Sequence, residues 1–110
     1  MINAKYELLS KLENYEYSKN DIKCFKIILT PWGIQDTNLQ DKPEQFTHNS
    51  EGDLFYYLDF EYDNGYGIQL IKGVVLMNDG CWFERSEYDG SEWWELKKPL
   101  TCKDVENYKA

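Results

Sequence analysis

The sequence predicts an α+β fold, one N-terminal helix packed on a mainly antiparallel sheet of about five strands. Three observations carry that expectation. An apolar stripe recurs every third residue near the start of the chain. Four strand-like runs in the second half are separated by short spacers that each end in glycine after Asn or Asp. Aromatic residues make up 16% of the 110 residues, so the core is expected to be built from rings. A chain of this length suits one domain, taken here as 1–110, and can bury a core without disulfides or metal.

Residues 3–17 read as the helix. Tyr6, Leu9, Leu12 and Tyr15 form the stripe with Leu8 beside them, charged residues fill the other sides, and Asn3 is placed to cap the start. Ser18 to Asp21 reads as a turn. Ile22 to Leu29 is a β-branched and aromatic run stopped by Pro31 and Gly33, a first strand near 22–29. Residues 34–52 lack periodicity and are expected to be irregular, either a lid over one face or a poorly ordered flap, with Leu39 and Phe46 as apolar anchors.

The remaining strands are expected near 53–62, 66–77, 81–87 and 91–97. Their spacers are Asp63-Asn64-Gly65, Asn78-Asp79-Gly80 and Tyr88-Asp89-Gly90, the pattern of three-residue hairpin loops. A four-stranded C-terminal meander follows. For the last hairpin, a two-residue Asp89-Gly90 turn sets Glu87 opposite Glu92 and Glu84 opposite Glu95. Like charges directly opposed are unfavourable. The three-residue loop instead sets Arg85 opposite Trp93, Glu84 opposite Trp94 and Trp82 opposite Leu96.

Carried through all three loops, that register sorts the side chains onto two faces. Leu54, Tyr56, Leu58, Phe60, Tyr62, Tyr66, Ile68, Leu70, Val74, Leu76, Trp82, Trp94 and Leu96 form the expected core face under the helix. Phe55, Tyr57, Asp59, Glu61, Ile71, Val75, Met77, Phe83, Arg85, Glu87, Trp93 and Glu95 form the other, half aromatic and half acidic. Residues 101–108 are expected to add a last helical turn capped by Thr101.

Charge narrows the function. The net charge is −8, and residues 51–95 alone carry a balance of −9, so binding nucleic acid by phosphate neutralisation starts with the wrong sign. No run is long and apolar enough to span a membrane, and the N-terminus has no apolar core of the kind a signal peptide needs. Cys24, Cys81 and Cys102 are scattered and His48 is the only histidine, a set that does not supply a zinc site. The cysteines are read as free thiols in a reducing cytosol. The glycines form no phosphate-binding loop, and His48 reads as an exposed loop residue.

Two constellations stand out. Trp93 and Trp94 are adjacent in a strand and point to opposite faces. Trp93 is either stacked on Arg85 within the chain or, with Arg85 and Phe83, an interface anchor, since Trp, Tyr and Arg dominate binding hot spots. The carboxylates Glu84, Glu87, Asp89, Glu92 and Glu95 form either a solvated rim or a surface that imitates a row of phosphates. Their spacing spreads them too widely for paired acid–base or metal chemistry.

The block Tyr62-Asp63-Asn64-Gly65-Tyr66-Gly67-Ile68-Gln69, then Trp82-Phe83-Glu84-Arg85 and Glu87-Tyr88-Asp89-Gly90-Ser91-Glu92-Trp93-Trp94-Glu95, resembles a group of small phage and prophage proteins. The resemblance covers about 62–95, under a third of the chain. It implies a viral accessory gene expressed in a bacterial cytoplasm and brings no catalytic residue with it.

Three functional expectations follow. In the first, the chain is a phage-encoded inhibitor of a bacterial defence protein such as a CRISPR effector. It would dock on a basic surface through Trp93, Arg85, Phe83, Tyr57, Glu87, Glu95, Asp59 and Glu61. In the second, it is a sponge or sensor for a small ligand such as a cyclic nucleotide, stacking a base among Trp93, Tyr57 and Phe83 with Arg85 on the anion. In the third, it is a structural or regulatory phage protein. No enzyme, cofactor, metal, membrane or direct nucleic-acid contact is expected, and a second copy of the chain is a candidate partner.

Overall fold

The structure is a computed structural model that describes residues 2–30, 43–50, 53–63 and 69–109. The fold is α+β. In chain order the elements are β1 (Ile2–Asn3), α1 (Ala4–Asn14), a 3-10 turn (Lys19–Asp21), β2 (Ile22–Leu29), β3 (Gln45–Thr47), α2 (Leu54–Tyr57), β4 (Glu61–Tyr62), β5 (Ile71–Met77), β6 (Trp82–Tyr88), β7 (Ser91–Lys97) and α3 (Cys102–Glu106). Five strands form an antiparallel sheet in the order β3-β2-β5-β6-β7, and β1 pairs separately with β4.

Helix α1 begins where expected, because the Asn3 side chain accepts a hydrogen bond from the Tyr6 N–H at 3.2 Å. It ends earlier than expected. The Leu12 carbonyl receives both Tyr15 and Tyr17 N–H groups, and Glu16 takes a left-handed φ of 63°. The buried stripe is Ala4, Leu8 and Leu12 at spacing four, whereas Tyr6 is 60% exposed. Tyr15 and Tyr17 leave the helix end and set their rings 6.0 and 5.9 Å from that of Phe83, fixing the helix over one face of the sheet.

Four expectations need correction. The segment 53–62 is not one continuous strand; only its last two residues, Glu61 and Tyr62, pair as a strand. The Asp53 carboxylate accepts the Phe55 N–H at 3.1 Å and starts the short helix α2. Leu54, Phe55 and Leu58 are buried together, a helical spacing that strand alternation does not allow. The strand expected at 66–77 begins at Ile71, and Tyr66 and Ile68 lie outside the described residues. The irregular stretch 34–52 contributes a strand, β3, whose Phe46 is buried against β2; residues 34–42 lie outside the described residues. The meander therefore has three strands, β5-β6-β7.

The fourth correction concerns the last hairpin. Its turn has two residues, Asp89 at φ 51° and Gly90 at φ 89°, both left-handed as a type I′ turn requires. Arg85 therefore faces Trp94, Phe83 faces Leu96, and Glu87 faces Glu92. The carboxylate pairs that argued against this register are each absorbed elsewhere. Glu92 turns inward onto Arg85, Glu87 accepts the Gly90 N–H at 2.9 Å, and Glu95 accepts the Ser86 hydroxyl at 2.9 Å.

The earlier hairpin keeps its three-residue loop, and Leu76 pairs with Trp82. A slip of one residue in the last turn alone thus exchanges the faces of β5 and β6 relative to β7. The inner face holds Ile27, Leu29, Ile71, Val75, Met77, Phe83, Arg85, Glu92 and Trp94, all buried. Val74, Leu76 and Trp82, expected inside, lie on the outer face with Cys24, Lys26, Ile28, Lys72, Glu84, Trp93 and Glu95. Leu54, Leu58, Phe60, Tyr62 and Leu70 are buried as expected, while Tyr56 is 65% exposed.

Gly73 sits at the centre of the sheet, opposite Ile27 on the inner face. Its φ of 151° and a Cβ position only 2.3 Å from the Lys26 carbonyl oxygen admit no side chain. The β5–β6 register covers Val74–Leu76. The wedge between Ile71 and the hairpin is filled by the polar cluster described next.

Candidate functional site

Arg85 lies on β6 and enters the core from the inner face, with its side chain fully buried. Its Nη2 is 2.9 Å from Glu92 Oε1, its Nε donates to the same oxygen at 3.2 Å, and its Nη1 reaches Glu7 Oε1 of α1 at 3.0 Å. Nη2 also donates to the Tyr62 hydroxyl of β4, which in turn donates to Glu7 Oε1. The guanidinium lies over the Trp94 ring at 5.2 Å and the Tyr62 ring at 5.7 Å. Glu92 completes the cluster. Its Oε2 accepts the Leu70 N–H at 2.7 Å and its Oε1 the Ile71 N–H at 3.0 Å.

The chain's only arginine thus ties α1, β4 and the β6–β7 hairpin together, and Glu92 carries the tie to the start of β5. Burial opposes the positive charge of Arg85, but Tyr62, Glu7 and Glu92 outweigh it and hold its proton more tightly than usual. Tyr62 is pushed well above the ordinary phenol range, chiefly by burial and further by the Glu7 carboxylate, although Arg85 pulls the other way.

Arg85 and Phe83, expected on a docking face, are therefore interior residues, and the structure separates them from Trp93. Trp93 points outward at 38% exposure, opposite Ser86, and Arg85 stacks on Trp94 instead. Tyr57 is half-buried, its ring 4.6 Å from that of Phe46. Asp59 accepts a hydrogen bond from Asn3 Nδ2 at 3.0 Å, and Glu61 pairs with Asn3 on the small sheet. Glu87 and Glu95 are exposed on the β6–β7 hairpin. A stacking pocket of Trp93, Tyr57 and Phe83 with Arg85 on an anion does not form, since its members lie on both sides of the sheet or inside it.

The outer face is the open surface of the sheet. Ile28, Val74 and Trp93 are each more than a third exposed, and Leu76 and Trp82 are half-buried. Charge divides it. Lys26 and Lys72 stand on the β2–β5 half; Glu84 and Glu95 stand on the β6–β7 half, with Tyr88 and Asp89 at the hairpin tip, while Glu87, opposite Glu92, alternates to the other face. Glu95 is held below the usual carboxylate range, first by the Ser86 hydroxyl and then by Lys97 at 3.4 Å.

Sequence reasoning missed the Arg85–Glu92 pair. The signal was present as an arginine seven residues before a glutamate across a hairpin turn, but only the two-residue turn makes the two residues diagonal neighbours. Among the described residues, no group of three or more His, Cys, Asp or Glu side chains is arranged to hold a metal ion, and no helix is long and apolar enough to cross a membrane. No family model, curated protein or solved structure matches the chain.

Proposed function

We propose that this chain is a non-catalytic binding protein that docks on a basic protein surface through the outer face and tip of the β6–β7 hairpin. The observation that carries this reading is Trp93, a large ring held outward on a sheet face and flanked by Glu95 on its own strand and Glu84 across the register. Tyr88, 76% exposed at the tip, extends the aromatic surface. Arg85 is internal and already neutralised, so four exposed carboxylates (Glu84, Glu87, Asp89 and Glu95) face solvent on this hairpin with Lys97 as their partial counterweight.

Such a surface suits a partner that brings apolar contact for Trp93 and Lys or Arg for the rim. The buried pair beneath it fixes the hairpin before binding, which lowers the ordering entropy lost on association. Together with the resemblance to small phage proteins, this supports an inhibitor of a bacterial defence protein, with Trp93, Glu84, Glu95 and Tyr88 as contacts. Phe83 and Arg85 then act only by shaping the surface from within.

The test is capture of bacterial proteins on the immobilised chain. Trp93→Ser and the pair Glu84→Lys/Glu95→Lys should each abolish capture of a partner that wild type retains. Raising salt from about 0.05 to about 0.5 M should weaken retention, as screening of a charged rim requires. Equal retention by Trp93→Ser, or retention indifferent to salt, would overturn the reading.

A further inference from the structure

We propose that the chain pairs with a second copy of itself through the outer face of the sheet, about a two-fold axis that runs along β5. This goes beyond the docking reading, which concerns a different protein, and it sets the two partners in competition for Glu84.

The outer face is open, and its charges are ordered across the strands. The register places Lys26 of β2, Val74 of β5 and Glu84 of β6 in one row, with Thr47 of β3 and Glu95 of β7 at its ends. The row beside it runs Cys24, Leu76, Trp82 and Lys97. Both rows have an aliphatic residue at the middle, on β5. In the first, a cation stands on one side of it and a carboxylate on the other. Lys26, Val74 and Glu84 are exposed, and neither Lys26 nor Glu84 forms an ion pair among the described residues. Glu84 has Glu95 directly opposite, a like-charged neighbour that favours a cation from outside.

Two sheets that meet face to face lie about 10 Å apart with their strands about 30° from parallel. When the two faces are the same, the two-fold axis lies in the plane between them, and each contact occurs twice. With the axis along β5, β5 meets β5 and β2 meets β6. Lys26 of each copy then faces Glu84 of the other, while Val74 and Leu76 meet their own counterparts. With the axis across the strands, β2 meets β2 and β6 meets β6, so cation faces cation and carboxylate faces carboxylate. The charge pattern thus selects the first arrangement.

The apolar surface agrees with that choice. A hollow of about 480 Å³ lies on the second row, lined by Cys24, Val74, Leu76 and Trp82 among others. The same axis brings the Trp82 ring of the second copy over Cys24 and into it. Lys72, one row beyond Val74 on β5, falls at the margin of the contact, where its exposed ammonium reaches water. Trp93 pairs with Ser86, past the last residue of the β5–β6 register, and so lies outside the paired rows.

Sedimentation equilibrium of the full chain, from about 1 µM to about 1 mM in about 0.1 M salt, reads the association. The mass should rise from one chain to two with concentration. Lys26→Glu and Glu84→Lys should each raise the dimer Kd about tenfold or more, because each sets like charges together at both symmetric contacts. An equimolar mixture of the two variants should dimerise about as tightly as wild type, since one copy then supplies both carboxylates and the other both ammonium groups. That recovery also shows both variants to be folded.

Lys26→Glu should still capture a protein partner of the hairpin, whereas Trp93→Ser should lose that partner and dimerise as wild type does, so this proposal and the docking reading fail separately. The proposal is overturned if the chain stays a single copy up to about 1 mM, if either charge variant self-associates as tightly as wild type, or if the mixture remains monomeric. A captured protein seated on this face of a chain that never dimerises would overturn it too, and would give the face to that partner.

Discussion

Arg85 and Glu92, diagonal neighbours across the β6–β7 hairpin, form a fully buried ion pair at 2.9 Å, and Glu92 also accepts the N–H groups of Leu70 and Ile71. Five elements (α1, β4, β5, β6 and β7) meet around this one contact, so its loss should unsettle the sheet rather than a single strand.

Removing one partner leaves a buried charge uncompensated, which is severe. Glu92→Ala should lower stability by about 3–5 kcal/mol, and it also strands two backbone donors. Arg85→Met should fall in the same range. The double variant should be clearly less destabilised than the sum, with a coupling of about 1.5 kcal/mol or more. Urea unfolding of the four proteins measures this, and strict additivity would show that the pair does not act as a unit. Lys97→Ala, which breaks only the exposed pair with Glu95, should stay within about 0.5 kcal/mol of wild type.

Tyr62 predicts an alkaline weakness. Its folded form holds the phenol proton above the ordinary value of 10.0, so the unfolded chain releases that proton first. The unfolded state then binds fewer protons than the native state, and stability falls as pH rises past that value, by up to about 1.4 kcal/mol per pH unit for one such group. The contribution is fully present below pH 10.0. Thermal midpoints between about pH 9 and 11.5 should fall more steeply for wild type than for Tyr62→Phe. Parallel curves would remove Tyr62 as the cause.

Gly73→Ala should be among the most damaging single methyl additions in the chain. The new Cβ would lie 2.3 Å from a carbonyl oxygen in mid-sheet, at a φ that L-residues avoid. A loss of about 2–4 kcal/mol is expected, read from the urea midpoint, because β2 and β5 must part to admit it. A change below about 0.5 kcal/mol would mean that the two strands are not held as closely as described.

The hairpin turn allows a finer test. Gly90→Ala should lose about 1 kcal/mol, since Gly90 is left-handed at φ 89°, whereas Asp89→Asn should be neutral or slightly stabilising because Asn-Gly suits the same turn. A neutral Gly90→Ala would show that Gly90 is not held at positive φ and would count against this turn.

The sequence by itself determined the α+β class, the capped N-terminal helix, the bounds of β2, the three C-terminal strands and their antiparallel order. Those follow from local signals: an apolar period near three and a half, β-branched runs, and glycine after Asn or Asp. It also determined that Trp93 and Trp94 point apart, because alternation along a strand is local.

Which ring points inward was decided only in three dimensions. Two candidate turns at Asp89-Gly90 differ by one residue, and choosing between them depended on where four carboxylates could go. Seen in isolation, Glu87 opposite Glu92 is repulsive. In the folded chain Glu92 finds Arg85 and two backbone donors, and the choice reverses. The helical start at Asp53 and the pairing of β3 with β2 were likewise hidden, the first behind a short apolar run that fits either period, the second behind a partner distant in sequence. Local patterns fix how each segment alternates; only long-range partners fix which side of it is buried.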